Sequence, residues 1–384
     1  MRFEFATATQ IVFGPGTLRE AGKLARPWGQ RALIVTGRDT RRAERLLGTF
    51  ADAGIAARIF STTGEPSVAT IEAALAAARE HRVEFVVGFG GGSAIDAAKA
   101  VAGLLTNPGA LLDYLEVIGK GLPLVQPAAP WMAIPTTAGT GAEVTRNAVL
   151  SVPDRGLKVS LRSAHLLARV AIVDPELTLD TPPATAAAAG LDALTQLIEA
   201  FVCTRANVLT DSLCAAAIPR TARALPDAAN HLRDPVARND LAFGSLSSGL
   251  ALANAGLGAV HGFAAPLGGR YSAPHGAICA ALLAPVMSAN LHALAQRSPQ
   301  NTSLAKYRDI ARWVTGREDA VAEDAVAWVR QLVMTLRIPS LSSWGVRATD
   351  AEEIVERAQQ ASSMKANPVA LTDDELTAIL REAF

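Results

Sequence analysis

The segment that most constrains the fold is Val86-Val87-Gly88-Phe89-Gly90-Gly91-Gly92-Ser93, followed at once by Ala94-Ile95-Asp96-Ala97-Ala98-Lys99. An apolar run of strand character enters a cluster of four glycines within five residues, Gly88 to Gly92, and leaves as an alanine-rich helix. Glycine lets the backbone approach an anion closely, and the opening helix presents free N–H groups and the positive end of its dipole. Four glycines exceed what a plain strand-to-helix turn needs. The segment therefore predicts a phosphate cradle at Gly90, Gly91, Gly92 and Ser93, with Ser93 expected to cap the helix as well. It is neither GxGxxG nor a Walker loop, since no Gly-Lys-Ser/Thr follows.

The rest of the first half repeats this alternation. Strands are expected at Ala32–Thr36, Ala57–Phe60, Phe85–Val87, Trp131–Pro135 and Val170–Val173, and helices at Leu18–Trp28, Thr40–Ala53 and Ile71–His81. Strand and helix in turn imply a parallel sheet with helices on both faces. From about Thr185 the strand signals fade. Helical periodicity takes over in Asn207–Leu225, Pro235–Ala255, Gly276–Ala295 and Asp319–Leu336. Pro182-Pro183 marks the join, because consecutive prolines cannot continue a ladder and favour a helix start. The expected division is thus 1–182, an α/β domain, and 183–384, an all-α domain.

Composition removes several classes of function. Lys+Arg and Asp+Glu both number 36 in 384 residues, so no basic excess exists to neutralise a nucleic-acid backbone. Cys203, Cys214 and Cys279 are odd in number and widely spaced, which fits a reducing compartment rather than a disulfide framework. The N-terminus MRFEFATATQIVFGPG lacks a continuous apolar core and reads as a strand, not a signal peptide. The longest apolar runs are broken by Gly or Pro, which argues against a transmembrane helix. A cytoplasmic enzyme with a small-molecule substrate and no membrane or nucleic-acid partner is expected.

A second polar loop, Ile134-Pro135-Thr136-Thr137-Ala138-Gly139-Thr140-Gly141-Ala142-Glu143, again follows a strand. Ligands of open α/β sheets lie beyond the carboxyl ends of strands, so the two loops are expected to line one dinucleotide site. In the helical half, Asp192 and Gln196 lie four apart and share a helix face. Of six histidines, only His261 and His275 stand in glycine-rich surroundings, in Gly256-Leu257-Gly258-Ala259-Val260-His261-Gly262 and Pro274-His275-Gly276. A carboxylate with two imidazoles suits Zn²⁺ or Fe²⁺, and an amide oxygen adds a weaker fourth ligand. His81, His165, His231 and His292 read as ordinary interior or surface histidines. Arg270, between the two candidate ligands, is either a surface side chain or a partner for a substrate carboxylate.

Taken together, GGGSAIDAAK, IPTTAGTGAEVT, AGLDALTQLIEA and AGLGAVHGFAAPLGGRYSAPHG resemble, in order, the hallmark stretches of the iron-containing (group III) alcohol dehydrogenases. The resemblance implies a dehydroquinate synthase-like fold, with a catalytic cleft between an N-terminal dinucleotide-binding domain and a helical metal-binding domain. It implies that Gly92, Ser93 and Asp96 hold the pyrophosphate region, and that Thr136, Thr137 and Lys158 line the rest of the cofactor groove. Asp192, His261 and His275 match three of the family's four metal ligands and form the catalytic set. Asn147 takes a position where the family often has a polar pocket residue, and the Phe3–Phe5 segment resembles a strand that crosses between subunits of a homodimer.

Three departures stand out. Gln196 replaces the helix histidine, the family's other ligand. Ala265 replaces a second histidine near the nicotinamide, removing a group that titrates near neutrality. Gly37 replaces an aspartate that would hydrogen-bond the adenosine ribose and repel a 2′-phosphate, so Gly37-Arg38 favours NADP over NAD. The expected reaction is hydride transfer between NAD(P) and an alcohol or aldehyde, or an oxo acid, with a divalent metal polarising the oxygen. Three other readings stay open: a metal-independent oxo-acid reductase resembling maleylacetate reductases, a lyase resembling dehydroquinate synthases, and a cofactor-binding protein without catalysis. The lyase branch expects a Lys/Arg cluster for its substrate's phosphate, which the sequence lacks.

Overall fold

The structure, a computed structural model, describes residues 2–153, 156–230 and 234–384, so His231 lies outside the described residues. Its strands are β1 (Gln10–Phe13), β2 (Arg31–Thr36), β3 (Ala56–Ser61), β4 (Phe85–Gly90), β5 (Trp131–Pro135), β6 (Asn147–Val152), β7 (Leu157–Arg162) and β8 (Val170–Val173). Six of them form one sheet in the order β1-β8-β5-β4-β2-β3, every pair parallel. The central strands β4, β5 and β8 are buried along their whole length. This is why they read as continuous apolar runs rather than as alternating ones.

From β2 the chain continues to β3 on one side and to β4 on the other, so the winding reverses between β2 and β4. The carboxyl ends at such a reversal splay apart and leave room for a ligand. Gly37 follows β2 there, and the glycine cluster closes β4. A Cβ added at Gly90 would lie 3.6 Å from the Gly37 backbone nitrogen, so the two turns are neighbours.

The chain divides into two compact units, Phe5–Leu179 and Asp180–Phe384, the latter with the extreme N-terminus. The division falls three residues before the expected join at 182/183. In the second unit the described residues contain no strand. Its main helices are Pro183–Val202, Val208–Asn230, Pro235–Asn254, Ala259–Arg270, His275–Arg297, Ser303–Thr315, Ala322–Thr335, Ala351–Gln360 and Asp373–Ala383. From Gly190 to Val202 every residue of the first of these is buried, so this helix is surrounded by others. One helix among the described residues, His275–Arg297, is long and apolar enough to cross a membrane, and 78% of its apolar window is buried within the chain.

Two expectations are corrected, and one element is new. The Phe3–Phe5 segment is not a strand: residues 2–8 carry no regular structure and the first strand begins at Gln10. A strand needs a paired edge, and β1 finds its partner only from Gln10 onward, against Val170–Val173 of β8. Ser93 is not the helix cap. Gly91 takes that place and Ser93 lies in the first turn. The antiparallel β6–β7 hairpin, paired from Asn147↔Arg162 to Val152↔Leu157, has no counterpart in the expected elements.

Candidate cofactor cradle and metal centre

In the α/β unit, β4 delivers the glycines to the N-terminus of helix Gly92–Thr106. The first helical hydrogen bonds there run from Ala94 N and Ile95 N to Gly91 O, at 3.0 and 3.1 Å. Gly92 and Ser93 therefore precede the helical ladder, as an anion-binding N-terminus requires. The threonine loop lies directly against this turn. Thr136 N donates to Gly90 O at 2.9 Å. A Cβ at Gly92 would meet Thr140 Cγ2 at 3.0 Å and Oγ1 at 3.1 Å, and one at Gly91 would meet Thr137 Oγ1 at 3.4 Å. The two loops, separate in sequence, thus lie against each other.

Behind the turn lies a fully buried lysine. Lys99 Nζ donates to Ala142 O (3.0 Å), Thr145 Oγ1 (3.0 Å) and Asn147 O (2.7 Å), and lies 3.4 Å from Asp96 Oδ1. Asp96 Oδ2 accepts from Val149 N at 3.1 Å. The structure thus engages the Asp96 carboxylate with Lys99 and β6. Burial is the largest influence on both groups, lowering the Lys99 pKa and raising that of Asp96. Asn147 opens β6, its carbonyl taken by Lys99. Lys158, on β7, pairs with Glu65. Gly37 has open space where a Cβ would stand, and the nearby Asp39 is occupied by Arg41 N and Nε.

The helical unit brings together residues up to 87 positions apart, a span from Asp192 to Cys279. Asp192 lies on helix Pro183–Val202, His261 on Ala259–Arg270, and His275 begins His275–Arg297 with Cys279 one turn later. The ligand-capable atoms of these four all lie within 4.8 Å of one another. Asp192 Oδ1 stands 3.5 Å from His261 Nε2 and 3.6 Å from His275 Nε2.

Two glycines make this convergence possible. A Cβ at Gly276 would fall 2.1 Å from Ala188 O, so only glycine lets the start of that helix, with His275, press against the Asp192 helix. A Cβ at Gly258 would fall 2.8 Å from Glu199 Oε1. Glu199 in turn accepts from Val260 N at 2.7 Å and meets His261 Nδ1 at 2.6 Å. It therefore orients the imidazole so that Nε2 faces Asp192, the outer-shell arrangement typical of ligating histidines.

Asp192 is 2% exposed, and its Oδ1 has no hydrogen-bond partner. A buried carboxylate oxygen that accepts no hydrogen bond and faces two imidazoles is the arrangement a cation would satisfy. The electrostatics agree. At His275 the Cys279 sulfur is the largest influence and, with Asp192, outweighs burial to raise the imidazole to about 9. At His261 burial is the largest single influence, but Cys279, Asp192 and Glu199 together hold the pKa well above its ordinary value. At Asp192 burial is again largest, yet His275 and His261 bring the pKa below the usual range. The pocket attracts positive charge.

Gln196 is buried one turn from Asp192, and its Oε1 accepts from Ser248 Oγ at 2.6 Å. Arg270 is tied to Glu353 and, at 3.2 Å, to Asp350, so two carboxylates of this chain hold its guanidinium. Ala265 lies exposed one turn beyond His261. His81, His165 and His292 stand outside the cluster. Sequence reasoning missed Cys279, Glu199 and Lys99. The spacing of His275 and Cys279, four apart on a helix, and of Asp192 and Glu199, seven apart, was the available signal.

Residues 8–175 match the family described as iron-containing alcohol dehydrogenase, and residues 186–384 match its Fe-containing alcohol dehydrogenase C-terminal family. Among curated relatives, alcohol dehydrogenase 4 of Schizosaccharomyces pombe is 34% identical, over 97% of this chain and 87% of its own. A crystal structure of 1,3-propanediol oxidoreductase superposes with a TM-score of 0.92 at 33% identity, covering 100% of both chains. Sulfoacetaldehyde reductase from Bifidobacterium kashiwanohense, solved with NAD⁺, gives 0.88 at 28% identity, covering 100% of this chain and 99% of its own. The chain belongs to the iron-containing alcohol dehydrogenase family.

Proposed function

We propose that this protein is an NAD(P)-dependent alcohol dehydrogenase that interconverts a small alcohol and its aldehyde, with a divalent metal held by Asp192, His261 and His275. The observation that carries the reading is the buried Asp192 Oδ1, without a hydrogen bond, facing two imidazole nitrogens. A cation held there supplies Lewis acidity toward the substrate oxygen. Glu199 keeps the His261 ring oriented, and the Gly90–Ser93 turn anchors the cofactor's pyrophosphate through backbone N–H groups. Ala265 offers no proton-carrying side chain, so the substrate's proton exchanges with water.

NADP is accepted alongside NAD and preferred to it. Support comes from Gly37, from Asp39 being occupied by Arg41, and from Arg38 beside them. Comparing kcat/KM for the two cofactors tests this: Gly37→Asp is expected to shift the ratio toward NAD at least about tenfold, and an unchanged ratio contradicts it. A cytoplasmic location is supported by the three cysteines, all free thiols. A homodimer is proposed from the exposed Phe3 near the N-terminus, with sedimentation as the check.

The reaction itself is tested by following cofactor oxidation over a panel of aldehydes. Turnover with simple aldehydes, abolished in Asp192→Ala, is expected. Turnover confined to oxo acids and indifferent to Asp192 favours a metal-independent reductase.

A further inference from the structure

The proposed function leaves one metal ligand unassigned, since the chain carries Gln196 where its resemblance calls for a histidine. We propose that the thiolate of Cys279 is that fourth ligand, giving an Asp-His-His-Cys centre whose softer donor set favours Zn²⁺ over Fe²⁺. The inference rests on the metal reading of Asp192, His261 and His275.

Geometry carries it first. Cys279 Sγ lies 3.8 Å from His261 Nε2 and 3.7 Å from His275 Nε2. In a tetrahedral site with bonds of about 2.0–2.1 Å to nitrogen and 2.3 Å to sulfur, sulfur and nitrogen ligands stand about 3.5–3.6 Å apart. Oxygen and nitrogen ligands stand about 3.3–3.4 Å apart by the same reasoning, against 3.5 and 3.6 Å here. All four measured edges are therefore within a few tenths of an ångström of a tetrahedron.

The alternative fourth donor is engaged elsewhere, because the Gln196 oxygen already accepts from Ser248. Cys279 is fully buried and shares a helix face with His275. Buried cysteines often act as small apolar fillers, and Cys203 shows that behaviour, its thiol turned to Ala200 O at 3.4 Å. Cys279 instead faces two ring nitrogens. Charge agrees as well: a carboxylate and a thiolate together neutralise a dication in a buried site, which Asp192 with a neutral glutamine would not. Thiolate donors shift preference toward zinc, where carboxylate and imidazole donors serve iron equally well.

The purified full chain, stripped and reloaded with Co²⁺ and separately with Zn²⁺, tests this without any activity measurement. A sulfur-to-cobalt charge-transfer band in the near ultraviolet is expected, together with one sulfur scatterer at about 2.3 Å at the zinc X-ray absorption edge. Cys279→Ser should lose both signals, lower Zn²⁺ affinity by more than the roughly 10- to 100-fold typical of losing an outer partner, and narrow the zinc-over-iron ratio. Cys203→Ser and Gln196→Ala should keep the band. A wild-type protein that binds cobalt with nitrogen and oxygen ligands only overturns the role of Cys279 while leaving the metal reading intact. A protein that binds neither ion overturns both. The wild-type spectra decide the matter even if the variants fold poorly.

Discussion

Around Gly90–Ser93 the groups available to a ligand are backbone N–H donors, contributed by one short stretch running from β4 into a helix. Around Asp192 they are side chains, contributed by three helices separated by loops and intervening helices. The first region depends on what is missing, side chains that would collide with Ala94, Thr137 and Thr140 packed around the turn. The second depends on what is present, four donors within 4.8 Å of one another. Glycine nevertheless serves both. It lets the threonine loop pack on the turn in one case, and in the other lets helices approach until the donors meet. Function tuned at the metal end should therefore respond to single-donor changes, whereas the cradle end should respond to changes in the scaffold beneath it.

The largest effect is expected at the donors. Asp192→Ala should lower aldehyde reduction about 1,000-fold or more, because Lewis-acid stabilisation is worth several kcal/mol. The matching assay is metal content alongside kcat, and both should fall together. Beneath the cradle, Lys99→Met should cost about 3–5 kcal/mol, since it strands the Asp96 carboxylate inside the fold. Urea unfolding measures this, and a loss under 1 kcal/mol would mean that the buried pair does not hold the loops.

Smaller than both is Glu199→Gln. Losing the carboxylate that orients His261 should weaken metal affinity about 10- to 100-fold while leaving cofactor affinity unchanged, which separates the two regions directly. The smallest effect is at Glu143, 2% exposed, whose carboxyl burial pushes from 4.5 to about 7. A carboxyl with a raised native pKa favours the fold below its unfolded value and loses that contribution as pH rises through the native one. Glu143→Gln should therefore match the wild type near pH 4 and be more stable above pH 7, with a ceiling of about 3 kcal/mol. Thermal melts across that range would show the two curves diverging, and parallel curves would contradict the burial argument.

The same contrast explains what the sequence disclosed. The strand–turn–helix at Gly90–Ser93 was legible because its parts are contiguous, so local rules sufficed. The parallel sheet was legible because buried strands such as Val170–Val173 are uniformly apolar. His261 and His275 were legible as residue types in unusual company, but their meeting with Asp192 depends on Gly258 and Gly276 packing against distant helices. Cys279 was not, since a cysteine on an apolar helix looks like core until its neighbours in space are known. The β6–β7 hairpin escaped because its strands are only half-buried and so lack the continuous apolar run that marked β4, β5 and β8. Asp96 was expected at the cofactor's pyrophosphate, and only the fold shows its carboxylate engaged with Lys99 and with Val149 of β6.

The most direct test of the account is metal content measured against turnover on one preparation. One zinc or iron ion per chain is predicted, with aldehyde reduction lost on exhaustive chelation and restored by a single equivalent. Full-rate reduction by protein from which elemental analysis detects no metal would contradict it.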